Sequence, residues 1–215
     1  MKFAGCGHTF RKFAIFFLSI IFLLVLHPRA SSLDLADTQH YLNPARELDL
    51  FKKVLTFERT WKSKTSGQLV IGLIYQGSYQ PSAWAAEDWE HIIKNLPDSE
   101  KQVEGISLAV VPIDLETTPS LENELAEKKI NFLYLTPLDD KTSQRIINNL
   151  RLICSKLKIG TFTSIPDYLD LGLAFCFNLK ETKPQIIINL ENSRAQGLSF
   201  SSHFLRVASV RGKNV

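Results

Sequence analysis

Chemistry-bearing patterns are scarce in this chain of 215 residues. It contains no G-x-S-x-G elbow, no G-x-G-x-x-G after a strand pattern and no Walker sequence. Elbow hydrolases, dinucleotide enzymes and P-loop enzymes therefore lose the motifs that carry them. Its histidines are few and scattered. His8 and His27 fall in the first 32 residues, and His40, His91 and His203 each lack a second ligand at the i+2 to i+4 spacing of a zinc site. No cofactor is expected. Cysteine is rarer still, with Cys6, Cys154 and Cys176 the full set. A basic excess is missing too, although the formal net charge of +3 suggests one. Lys2, Arg11, Lys12 and Arg29 belong to the first 32 residues, and without them 21 basic residues face 22 acidic ones. The remainder lacks the concentrated positive face that releases counterions from a nucleic acid, so no nucleic-acid partner is expected.

Those first 32 residues read as an export signal. A basic start precedes the apolar run Phe13 to Leu26, and Ala30-Ser31-Ser32 supplies small residues for cleavage. The other reading is an uncleaved signal anchor, for which the run is short beside the ~17 to 25 residues that span a bilayer. Cleavage places the mature chain in an oxidising compartment, where Cys154 and Cys176 form an even pair. A bridge between them would stabilise by roughly 3 kcal/mol in the chain-entropy model. Two buried free thiols are the equal alternative, since free cysteine is among the most buried residues. Residues 33–42 are expected to be a flexible mature N-terminus and 43–215 one domain.

Periodicity then sets out the elements. Asn43-Pro44 is an N-cap followed by proline at the first helical position, and Leu48, Phe51, Val54 and Leu55 continue an apolar stripe toward Thr60. Leu69 to Tyr75, Ile106 to Ile113, Phe132 to Leu135 and Ile159 to Ser164 are short apolar runs that read as strands. Helical spacing covers Ser82 to Leu96, Leu121 to Lys129 and Lys141 to Lys156 between them. Ile165 to Asp170 is a turn or one helical turn, and Leu171 to Leu179 pairs with Pro184 to Leu190 as an antiparallel hairpin. Such alternation predicts a three-layer α/β domain with a mixed, largely parallel sheet, closed by that hairpin and a C-terminal helix.

The last stretch is the most distinctive. Ile188-Asn189-Leu190 ends a strand, Ala195 and Gly197-Leu198 close a short helix, and Ser201-Ser202 caps another that carries Phe204, Leu205 and Ala208. This succession resembles the closing motif of the YfiR-like family of bacterial periplasmic proteins. Phe204 stands where that family usually has leucine, and Leu171 to Phe175 carries one glycine, Gly172, where it commonly has two. The resemblance implies a non-enzymatic regulator, in some members a dimer. Its implied partner is the periplasmic sensory domain of an inner-membrane diguanylate cyclase, and its output control of cyclic-di-GMP and biofilm formation.

Binding groups are sparse. Asp114 ends a strand at the carboxyl edge of a parallel sheet, where ligands of open α/β folds bind. Tyr79, Trp84, Trp89 and Phe200 either form an exposed docking patch or pack inward, with the core favoured for Trp89. Tyr79 and Trp84 sit near loop ends and join Asp114 as candidate ligand or partner contacts. A small-ligand-binding module is the alternative function.

Overall fold

In the computed structural model, residues 42–180 and 183–212 are described. The expected export signal and nearly all of the expected flexible N-terminus, residues 33–41, lie outside them. Leu42 is already packed into the core at 4% exposure, one residue before the expected boundary.

Asn43 starts the fold as anticipated. Its side chain accepts from the Ala45 N–H, Pro44 takes the first helical position, and α1 runs Pro44–Leu55. It stops short of Thr60 because Thr56 turns back on Lys53 through both its backbone N–H and its hydroxyl. A single helical turn, α2 (Trp61–Lys64), leads into β1 (Gln68–Tyr75). Then follow α3 (Gln80–Asn95), β2 (Gln102–Val103), β3 (Ile106–Asp114), α4 (Leu121–Glu127) and β4 (Phe132–Leu135). The longest helix among the described residues, α5 (Asp140–Leu157), is capped by the Asp139 side chain on the Lys141 N–H and ends on Lys158 in the left-handed region. After it come β5 (Gly160–Thr163), α6 (Tyr168–Leu171), β6 (Phe175–Lys180), β7 (Lys183–Asn189), α7 (Leu190–Ala195), α8 (Ser202–Val207) and β8 (Ser209–Arg211).

Among the described residues the strands form one sheet in the order β2-β3-β1-β4-β5-β6-β7-β8. The pairings from β3 through β6 are parallel, and β6 with β7 is the antiparallel hairpin. Two small strands escaped the sequence reading. β2 pairs antiparallel with β3, and β8 returns the chain beyond the last helix to lie parallel with β7. Neither has enough residues for a period of two to show.

Helices cover both faces. On one, α1 and α3 join Leu198, Phe200 and Phe204 over a core centred on Phe162. That ring stacks on Phe51 at 4.6 Å and on Phe175 at 5.4 Å, and meets Tyr134, Trp89 and Phe177 at tilted or edge geometry. On the other, α5 buries Ile147, Leu150, Ile153 and Cys154 with Leu133 and Leu135 of β4. Of the two readings of these aromatic residues, inward packing holds for Trp89, where it was favoured, and for Phe200. Trp89 is fully buried and Phe200 is 7% exposed, held over Phe175 and Phe204, so neither reaches a surface.

The cysteine pair does not form a bridge. Cys154 packs in the α5 cluster, Cys176 packs with Leu169 and Ile187, and both are buried free thiols. Burial pushes the Cys154 thiol up to about 12 and raises Cys176 as well, which keeps both protonated and unreactive.

The C-terminal motif lies at the amino edge of the parallel strands and serves the backbone there. β5 and β6 pair over two register positions only, Phe162 with Phe175 and Thr163 with Cys176. Below that short ladder, buried Gln196 accepts from the Thr161 N–H and hydroxyl and donates to the Gly172 carbonyl. Thr161 Oγ1 in turn accepts from the Ala174 N–H, and Ser193 donates to the Ala174 carbonyl. Asn189 caps α7 through the Asn192 N–H and donates to the Leu169 carbonyl. Gly197, at φ +74, turns the chain at no steric cost, and its carbonyl accepts from Thr60 and Lys64. Ala195 contributes its carbonyl to Lys158. Ser201 caps α8 on the Phe204 N–H, leaving Ser202 exposed as the first helical residue. Leu205 and Ala208 pack half-buried against the core that holds Leu198, while Leu190 is half-buried at the start of α7.

Glu58 fastens this motif to α1 and α2. Its carboxylate accepts from the N–H groups of Thr60, Trp61 and Ser199 and from the Thr60 hydroxyl, at 2.6 to 2.8 Å. Glu58→Ala strands three backbone donors and is expected to cost about 3 kcal/mol in denaturant unfolding; a loss under about 1 kcal/mol would show that solvent replaces the carboxylate. Reducing agent is expected to leave the melting temperature unchanged, and a fall on reduction would reveal a bridge.

Candidate functional site

The strand order reverses between β1 and β4. β3 lies on one side of β1 and β4 on the other, so α3 and α5 leave this point toward opposite faces of the sheet. In open α/β sheets the carboxyl edge at such a reversal is where ligands bind. Here buried hydroxyls join the two loops. Ser82 Oγ accepts from the Gln76 N–H and meets Thr136 Oγ1 at 2.6 Å, and Thr136 donates to the Ile74 carbonyl.

Asp114 stands at this edge, as expected, and its Oδ1 is occupied by the protein itself. It accepts from the N–H groups of Gly77 at 3.2 Å and Glu116 at 3.0 Å. A Cβ on Gly77 would come within 2.8 Å of Asp114 Oδ2, so this loop needs glycine to reach the carboxylate. Glu116 repeats the device, taking both the N–H and the hydroxyl of Ser78, and those bonds hold its carboxyl below the usual range. Both acids fix the loops after β1 and β3. Beside them, toward α5, lies a hollow of about 630 Å³ lined by Gln76, Glu116, Thr118, Thr142, Arg145 and Asn149.

A second cleft, of about 250 Å³, opens on the α1 and α3 face. Pro44, Pro81 and Pro137 form its walls with Leu42, and Trp84 and Asp88 stand on α3. Glu47, Tyr134 and Ser164 meet at its base, where Tyr134 Oη and Ser164 Oγ are 3.2 Å apart. Glu47 is 1% exposed and accepts from the Trp89 indole N–H at 3.0 Å. Burial raises its carboxyl to about 7, partly opposed by side-chain hydrogen bonds from Tyr134, Trp89 and Ser164. The Tyr134 phenol, buried beside that acid, is pushed well above its ordinary value.

Of the three contacts expected from sequence, the structure brings one to this cleft. Trp84 lines it while 58% exposed. Tyr79 is half-buried at the start of α3, its carbonyl accepting from Ser82 and Ala83, and Asp114 serves its own loop. Glu47 was missed, although a signal exists. Glu47, Phe51, Val54 and Glu58 fall at i, i+4, i+7 and i+11, so both acids lie on the apolar stripe of α1 and its extension. An acid on such a stripe is bound for a buried partner.

A family model described as YfiR/HmsC-like matches residues 93–209. A conserved domain protein from Vibrio cholerae O1 biovar El Tor aligns at 16% identity and a TM-score of 0.52, covering 78% of this chain and 60% of that one. A substrate-binding protein with adhesive properties from Clostridium difficile, in its ligand-free open form, aligns at 14% identity and a TM-score of 0.50, covering 72% and 58%. The chain thus spans about 60% of the length of these solved structures, and at such identity the likeness is one of α/β fold. No curated protein matches it.

The Glu47 carboxyl couples stability to pH. Its pKa is raised in the folded chain, so the unfolded chain ionises first as pH rises from about 4.5 to about 7, and stability falls across that window. Glu47→Gln keeps an acceptor for Trp89 and removes this dependence. It is expected to flatten the stability profile between pH 4.5 and 7 and to add roughly 3 kcal/mol at pH 8. An unchanged profile would show that the acid is ionised in the fold.

Proposed function

The chain belongs to the YfiR/HmsC-like family, and from that premise we propose that it is an exported regulator that binds and represses the periplasmic sensory domain of an inner-membrane diguanylate cyclase. The observation that carries this reading is the extent of the family match, which takes in β2 through β7 and the helices between them. A periplasmic regulatory role is what the family supports; the cyclase partner and repression of it are the finer steps proposed here. Among the described residues no helix is long and apolar enough to cross a membrane. Also among those residues, no group of three His, Cys, Asp or Glu side chains is placed to hold a metal ion.

A second reading, a small-ligand-binding module, is favoured by the Glu47 cleft on the α1 and α3 face. The two are compatible, since a ligand that prefers one state of a regulator shifts its affinity for a partner.

Affinity capture from cross-linked envelopes tests the first reading. The tagged chain is expected to recover an inner-membrane protein with a cyclase domain, and deleting the gene is expected to raise cellular cyclic-di-GMP. Unchanged cyclic-di-GMP together with recovery of the bait alone would overturn it.

A further inference from the structure

The cleft over Glu47 combines features that one class of ligand satisfies. Its walls are proline, leucine and the exposed Trp84 ring, an apolar enclosure for a compact body. Its base gathers oxygen atoms: the Glu47 carboxyl, the Tyr134 hydroxyl and the Ser164 hydroxyl. Asp88 adds a second acid on α3, and the described lining residues include no lysine, arginine or histidine. The field in this cleft is therefore of one sign. A carboxylate or phosphate entering it would be desolvated beside an acid with no cation to receive it.

We propose that this cleft binds a small primary amine with a compact apolar body and no carboxylate, its ammonium paired with Glu47. An ammonium carries three donors and no acceptor, which suits a base made of three oxygen-bearing side chains. The body lies against Trp84 and the prolines, where an aromatic or branched aliphatic group removes apolar surface from water. On binding, the Glu47 carboxyl releases its proton to the buffer and the resulting carboxylate pairs with the ammonium, still accepting from the Trp89 N–H. No other bond is made or broken. Glu47, Trp84 and Asp88 all precede residue 93 and so lie outside the stretch that the family model matches. The inference names the ligand class for the small-ligand reading and rests on that reading; the cyclase proposal does not depend on it.

The test uses calorimetry and thermal shift on the purified full chain with three probes of one shape: 2-phenylethylamine, 2-phenylethanol and 3-phenylpropionate. The amine is expected to bind and raise the melting temperature, with a heat that varies with the ionisation enthalpy of the buffer because a proton leaves. The alcohol should bind roughly tenfold to a hundredfold more weakly, as the loss of a charged hydrogen bond implies. The acid should not bind. Glu47→Gln should reduce amine affinity to that of the alcohol while the variant still unfolds in one cooperative transition, which separates loss of the charge from loss of the fold. Trp84→Ala should weaken amine and alcohol together. Equal binding of all three probes, or amine binding untouched by Glu47→Gln, would overturn the amine assignment and leave the cleft a ligand site. Binding of none of them would overturn the assignment and the small-ligand reading with it.

Discussion

Buried backbone groups that the sheet leaves unpaired govern this fold. Parallel pairing of β5 with β6 lasts only two register positions, and the chain continues below it into a buried interior. Each buried N–H or C=O without a partner there would cost about 1 to 3 kcal/mol. Gln196, Thr161, Ser193 and Asn189 supply the partners, and Glu58 supplies three more bonds where α1 ends. Because those groups come from both ends of the described chain, neither end is placed without the other. The core around Phe162 depends on this closure, since Phe51 comes from α1 and Phe200 and Phe204 come from the C-terminal stretch.

The sheet thus has two edges with different tasks. At the amino edge, polar side chains are consumed in holding backbone, which explains why the C-terminal signature contains so many small and amide residues and no free chemistry. At the carboxyl edge, Asp114 and Glu116 are likewise spent on the loops after β1 and β3. What remains is the cleft on the α1 face, where a buried acid, two hydroxyls and an exposed indole share one enclosure. Its residues come from α1, α3, β4 and the loops after β4 and β5, so the site exists only once the strand order is set.

Much of the architecture was legible in residue order, for local reasons. Asn43-Pro44 determined where α1 begins, Gly197 where the chain turns and the pair Ser201-Ser202 where α8 begins, because each serves backbone close to itself in the chain. Apolar runs of four to eight residues marked the central strands, and their alternation with helical spacing determined the parallel, mixed sheet. The small strands β2 and β8 were not legible, as two or three residues carry no period.

Site residues divided differently. The sequence by itself determined the α/β class, the hairpin, the C-terminal signature and the shortage of catalytic motifs, since these rest on neighbours in the chain. Only the tertiary structure decided that Cys154 and Cys176 pack in separate clusters, that Asp114 is committed to Gly77, and that Glu47 lies beneath a cleft with Trp89, Tyr134 and Ser164. Those outcomes depend on distances across 37 residues for Asp114 and 42 for Trp89, which the hydrophobic pattern does not encode. Burial of an acid is a property of everything packed around it, and that surrounding is assembled only when the sheet closes.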